Sequence, residues 1–315
     1  MKPINLRGVT VATVLPFDPD GAIDWESYAR VLDYCGVTDD IDAVFVNGHA
    51  GEGGSLTPEE RVAVIERTRA QIGATKPLLA GIIAHGTVEA IAEARRAEAA
   101  GADCVVLFPP APLGGGASAS PRAPAAHVRA IAEAVDVPIS LFQYPLSSGF
   151  GFPPETLAEL VRIPGVIAVK EGSDDMRAYE DNLRAIRAAN PDVLMLPSNY
   201  NWFLAQLAVG GDGILSGLAS LTPRWIADLW RASEAGDLAD MRKAADRLYP
   251  VVRSIYAAKP IIDMHTRIKA GLVELGIIAC AKPRLPLMPV LPELVADIAA
   301  TLDQTGLRSL VTGRA

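Results

Sequence analysis

Eight short apolar runs recur along the chain: "GVTVAT" (8–13), "AVFVN" (43–47), "PLLAGI" (77–82), "CVVLF" (104–108), "PISLF" (138–142), "VIAVK" (166–170), "VLMLP" (193–197) and "GILSG" (213–217). They are continuous rather than alternating, the pattern of parallel strands covered on both faces. Between them, apolar positions recur at helical spacing. "TPEERVAVIERTRAQI" (57–72) carries the start signals of a helix: Thr57 as N-cap, Pro58 at the first helical position and Glu60 three residues after the cap. "TVEAIAEARRAEAAG" (87–101) ends on a glycine, the usual C-terminal stop. Eight strand–helix units predict an α/β fold of the (β/α)8 TIM-barrel type. A doubly wound open sheet alternates in the same way, but it usually carries a Gly-rich phosphate loop after the first strand, and "ATVLPFDPDG" is not one. The chain stays helical in pattern beyond about residue 222, more than a barrel needs to close. The predicted organisation is therefore a barrel catalytic domain over 1–225 and a C-terminal helical region over 226–315. One low-complexity segment, "PPAPLGGGASASPRAPAA" (109–126), follows the fourth strand and predicts an irregular loop.

Composition narrows the function classes. The 315 residues are half hydrophobic and carry a net charge of −8 without a basic block. That argues against nucleic acid or an anionic membrane as partner. No uninterrupted apolar run reaches the ~18 residues of a bilayer span, and the N-terminus lacks the apolar core of a signal peptide. A soluble, cytoplasmic protein is expected. Cys35, Cys104 and Cys280 are odd in number, far apart and in apolar contexts, as packing thiols in a reducing compartment would be. The four histidines show no metal-ligand spacing, so no metal is predicted, and the chemistry considered below calls for no organic cofactor.

The candidate chemistry centres on "GVIAVKEGS" (165–173), where an apolar strand ends in Lys170. Lysine is not the default cation of this chain, which has seven lysines among its 29 basic residues. In a barrel, Lys170 stands at the catalytic, C-terminal end of strand six. Desolvation there lowers an amine's pKa, and a neutral amine can add to a ketone to form a Schiff base. A strand-end lysine that reaches solvent or pairs with Glu171 is the structural alternative.

The segment resembles the Schiff-base lysine strand of the dihydrodipicolinate synthase / N-acetylneuraminate lyase family, the pyruvate-type class I aldolases. Further stretches carry the resemblance. "NGHAGEGGSLTPEER" (47–61) is similar to the family's G-[TS]-[TS]-G-E turn and the helix start after it, and "FQYP" (142–145) stands where the family has Y-N-x-P. "GGDGILSGLASLTP" (210–223) and "KPRLPLMPV" (282–290) match its eighth strand and C-terminal segment. The resemblance implies a lyase acting on a 2-oxo acid through Lys170, with the substrate carboxylate on the turn formed by Gly48, His49, Ala50, Gly51 and Glu52. It also implies a homo-oligomer, a tetramer or a dimer.

The chain departs from the pattern at its proton carriers. The family's acid/base tyrosine aligns with Phe142, which has no ionisable group. Tyr144 lies two residues on and can share its face. The turn's two small hydroxyl residues become His49 and Ala50. Lys170, Tyr144 and His49 are therefore the catalytic candidates, and Gly48, Ala50, Gly51, Glu52, Phe142 and Ser147 the substrate-binding ones. The loop after strand four lacks the family's tyrosine, and "PLSSGFG" lacks the arginine that holds the second substrate of the synthases. Cleavage or dehydration of a 2-keto-3-deoxy sugar acid or 4-hydroxy-2-oxo acid is favoured over lysine biosynthesis. A homologue that binds a 2-oxo acid without efficient turnover is the alternative. His85, at the end of strand three, and Asn199 or Tyr200, after strand seven, are lesser candidates for the cavity wall. His127 and His265 are expected at the surface or in packing.

Overall fold

The computed structural model describes residues 4–198 and 200–313. Eight parallel strands carry the barrel: β1 (Gly8–Ala12), β2 (Ala43–Val46), β3 (Leu78–Ile82), β4 (Cys104–Leu107), β5 (Ile139–Gln143), β6 (Val166–Glu171), β7 (Leu194–Pro197) and β8 (Gly213–Ser216). Each falls within one residue of an apolar run. They pair in the order β7-β6-β5-β4-β3-β2-β1-β8, so every neighbour except the last is consecutive in the chain. The β7–β8 seam is closed by Asp212. Its backbone N–H donates to Met195 O at 2.8 Å, and its carboxylate accepts from Met195 N at 2.8 Å. Most strand residues are buried on both faces, which is why the runs do not alternate.

The barrel helices lie between the strands: α1 (Trp25–Val31), α2 (Pro58–Ile72), α3 (Thr87–Ala99), α4 (Arg122–Ala132), α5 (Pro154–Leu160), α6 (Met176–Ala189), α7 (Phe203–Val209) and α8 (Pro223–Glu234). α2 starts as its sequence predicts. Thr57 Oγ1 accepts from Glu60 N at 3.2 Å, and Glu60 returns the bond to Thr57 N at 3.0 Å. The low-complexity segment forms two short 3-10 turns, Ala111–Gly115 and Ala117–Ala119, and its last residues already belong to α4. Four helices follow: α9 (Leu238–Tyr256), α10 (Met264–Glu274), α11 (Pro292–Gln304) and α12 (Leu307–Thr312). α8 packs on β1 and β8 as well as on α9, and the division expected after residue 225 falls inside it. No helix among the described residues is long and apolar enough to cross a membrane.

Candidate active site

Lys170 lies one residue before the end of β6, in register with Phe142 of β5 and Leu196 of β7. Its side chain turns into the barrel, where Nζ stands 4.8 Å from the Phe142 ring centre and 4.9 Å from that of Phe45 on β2. Among the described residues it makes no ion pair and no hydrogen bond. Adjacent strand residues face opposite ways. Glu171 accordingly points outward and accepts from Ser173 N at 3.1 Å and Asn182 Nδ2 at 3.2 Å. The ion pair that sequence alone left open is thus excluded by strand geometry. Burial, with no counter-charge to offset it, pulls the Lys170 amine down to about 7. An appreciable share of the side chain is then uncharged at neutral pH, whereas an ordinary lysine near 10.4 is almost wholly protonated.

Rings build the wall beside the amine. Phe108, just after β4, stacks on Phe142 with centres 4.5 Å apart. Tyr144 follows at 4.5 Å from Phe142, and His49 touches all three rings. Tyr144 Oη and His49 Nε2 are 2.8 Å apart in a hydrogen bond that either can donate. Burial raises the Tyr144 phenol, so it holds its proton at neutral pH. Desolvation, and after it the Lys170 charge, pushes the His49 imidazole below its usual range, and the solvent exposure of the residue keeps that lowering modest. The structure therefore joins a neutral phenol to a neutral imidazole next to the amine. Lys170, His49 and Tyr144, the three catalytic candidates, come together from β6, the β2 turn and the β5 end.

The turn after β2 is held in a strained shape. Asn47 and Glu52 take positive φ of 56° and 51°. Gly53 N donates to Gly48 O and Glu52 N to His49 O. A Cβ on Gly53 would sit 2.0 Å from Asn47 O, so glycine is required there. The backbone N–H groups of His49, Ala50 and Gly51 make no hydrogen bond among the described residues. Three unpartnered donors in one turn form a concavity suited to an anion. Glu52 does not face it. One carboxylate oxygen pairs with Lys269 of α10, and the other accepts from Arg284 N at 2.8 Å. Glu52 and Lys269 are both buried, and Glu52 anchors the turn instead of offering a substrate contact. Ser147 sits exposed in the 3-10 turn Leu146–Ser148, with no bond to the cluster. His85 lines an adjoining cavity of about 320 Å3, which it shares with Tyr144 but not with Lys170. A larger cavity, about 710 Å3, lies at the opposite, N-terminal end of the strands and contains none of these residues. Asn199 falls outside the described residues.

Four residues of the mouth were absent from the sequence-based set. Phe45 and Phe108 carry a signal in hindsight, since one is an inward position of β2 and the other directly follows β4. Tyr256 and His265 carry none, because helical periodicity says nothing about the end of a distant barrel. Tyr256 closes α9 and stacks on Tyr200, with ring centres 3.3 Å apart. His265 was expected at the surface or in packing. It does pack, and α10 sets its ring against Gly217, at a point that the Ala50 side chain also borders at the mouth. His127 does pack: it is buried on α4, with Nδ1 2.9 Å from Thr87 Oγ1.

An eight-stranded parallel barrel with a desolvated, unpaired lysine at the C-terminal end of a strand has the form of a lyase of the aldolase type. The model of the Dihydrodipicolinate synthetase family matches residues 5–305, and the chain belongs to that family. It is 31% identical over 306 residues to a 4-hydroxy-tetrahydrodipicolinate synthase of Pseudomonas aeruginosa, covering 96% of this chain and 99% of that one. A second relative of the same description, from Leptothrix cholodnii, is 31% identical over 307 residues and is covered in full. Among solved structures, the dihydrodipicolinate synthase of Thermotoga maritima superposes with a TM-score of 0.87 at 25% identity, over 96% of this chain and 99% of that one. YagE, a prophage protein of the same family from E. coli K12 solved in complex with pyruvate, shares the fold at TM-score 0.87 and 22% identity, over 96% and 99% of the two chains.

Proposed function

We propose that the chain is a Schiff-base-forming lyase acting on a 2-oxo acid. The observation that carries this is the Lys170 amine, buried among rings, without a counter-charge and lowered to about 7. Its lone pair adds to the C2 carbonyl, water leaves, and a protonated imine remains. That imine draws electrons from C3, which permits breaking of the C3–C4 bond or loss of a hydroxyl from C4. The unpartnered N–H groups of His49, Ala50 and Gly51 suit the substrate carboxylate. The Tyr144–His49 pair supplies a proton carrier that Phe142 cannot.

The substrate we infer is a 2-keto-3-deoxy sugar acid or a related 4-hydroxy-2-oxo acid, cleaved or dehydrated, without a metal or organic cofactor in the reaction. Condensation with aspartate semialdehyde is disfavoured because "PLSSGFG" has no cation for the second carboxylate. The named relatives are synthases at about 30% identity, so a direct assay of that condensation is the discriminating control. The test of the chemistry is borohydride reduction in the presence of pyruvate. One reduced adduct on Lys170, absent in Lys170→Ala, is expected, and an unmodified Lys170 would overturn the reading. Phe142 at the family's tyrosine position favours a second reading, a homologue that forms the imine but turns over poorly. A panel of sugar-derived 2-oxo acids separates the two.

A further inference from the structure

His265 is the ring that the proposed reaction has not used. It stands near the start of α10, half-buried, and makes no hydrogen bond among the described residues. Gly217, directly after β8, makes room for it. A Cβ built on Gly217 would lie 3.1 Å from His265 Nε2 and 3.4 Å from the Ala50 side chain. Imidazole and Ala50 therefore flank the same point. Ala50 is the middle of the three turn residues whose N–H groups are unpartnered. His49 leans from the same turn toward Phe108, Phe142 and Tyr144, on the β4–β5 side. His265 borders it from the β8 side. Burial is the main cause that keeps the His265 ring neutral, and the titrating and charged groups that face it, His49, Lys170, Lys269 and Arg267, all potential cations, add to it. Lys269 and Arg267 are committed elsewhere, to Glu52 and to the carbonyls of Ile255, Ala258 and Pro260. Among the described residues, His265 is the ring on the β8 side of the turn whose nitrogens make no hydrogen bond.

We infer that His265 is a substrate-contacting specificity residue, donating a ring N–H to the 2-oxo acid's carboxylate from the flank of the 48–52 turn opposite the His49–Tyr144 pair. The inference rests on the lyase reading above and adds the group that recognises the acid. A side-chain hydroxyl at position 50 would serve the same oxygen, and Ala50 has none. Neutrality suits the role: a neutral imidazole is desolvated at less cost than an imidazolium and still offers one N–H. The approaching anion favours protonation of the ring, so binding strengthens as pH falls.

The test measures the half-saturating ketone concentration for cyanoborohydride trapping at Lys170, read by intact mass. Two ketones are used, pyruvate and hydroxyacetone, which lacks the carboxylate. For His265→Leu, half-saturation by pyruvate is expected to rise at least about tenfold, the usual loss for one hydrogen bond to a charged group, while the value for hydroxyacetone stays unchanged. His265→Asn, which keeps a donor, should recover to within about threefold of the wild type. Gly217→Ala, which crowds the ring aside without removing it, should shift pyruvate alone in the same direction and serves if the leucine variant does not fold. Equal shifts for both ketones, or no shift for pyruvate, would overturn the assignment of His265 while leaving the imine intact. Failure of the wild type to trap pyruvate would remove the lyase reading and this inference with it.

Discussion

The chemistry proposed for Lys170 depends on what it lacks. A partner carboxylate would restore its charge, and the nearest candidate, Glu171, is turned to the other side of β6 by the strand's two-residue period. The cost falls on stability. The folded state favours the neutral amine while the unfolded chain holds a proton up to the ordinary lysine range. Burial therefore opposes folding at every pH below that range, increasingly down to about 7 and constantly below it. Lys170→Met should raise stability at pH 7, by about 3 kcal/mol at most because the amine is not fully sealed, as denaturant unfolding would show. The same titration sets the kinetics. The trapping rate with cyanoborohydride should climb about tenfold per pH unit below 7 and level off above it. A profile still rising at pH 9 would mean an ordinary lysine. At Tyr144 the expected signature is different. Tyr144→Phe should lower kcat by about 10²–10⁴ while leaving trapping of pyruvate intact, since the proposed proton carrier and the imine-forming amine are separate groups. The sequence singled out Lys170 by the apolar run before it and Tyr144 by its two-residue spacing from Phe142. It could not show that Tyr144 Oη meets His49 Nε2 at 2.8 Å, because residues 49 and 144 are joined only through the closed barrel.

The turn after β2 and helix α10 act as one unit. The Glu52–Lys269 pair is fully buried, and Arg284 reinforces it by donating its backbone N–H to Glu52 and its guanidinium to Glu60 at 2.6 and 2.7 Å. A buried pair contributes little net stability, but breaking one half leaves a charge stranded. Lys269→Met alone should cost about 3–5 kcal/mol in urea unfolding, and Glu52→Gln combined with Lys269→Met should recover most of it. Equal losses in the single and double variants would mean that the pair orders nothing. The boundaries of these elements were legible from local signals: the Thr57–Pro58–Glu60 start of α2 and the apolar runs of all eight strands are seen where the pattern put them. The partner of Glu52 was not legible. Its place in a G-x-x-G-E turn suggests a residue that orders the turn more than one that touches substrate, and only the arrival of α10 shows which cation it does so with.

Across the whole molecule, the C-terminal helices form part of the mouth. α9 supplies Tyr256, α10 supplies His265 and Lys269, and the segment after α10 supplies Arg284. α8 seals the β8–β1 side and buries Trp225 and Trp230. We predict that the full chain unfolds in one transition, with near-ultraviolet circular dichroism and trapping competence lost together, and that a chain ending after residue 236 traps no pyruvate. Two separate transitions would indicate that barrel and helical region are independent units. By itself, the sequence determined the class of fold and pointed to Lys170 as the candidate amine. Both follow from local physics: unbroken apolar runs demand two-sided cover, and an amine at the end of such a run is desolvated wherever the strand lies. Only the tertiary structure decided which groups meet that amine. The His49–Tyr144 bond, the diversion of Glu52 to Lys269 and the entry of His265 beside Ala50 each join segments far apart in the chain, and their distances are set by barrel closure and helix packing, which no local pattern encodes.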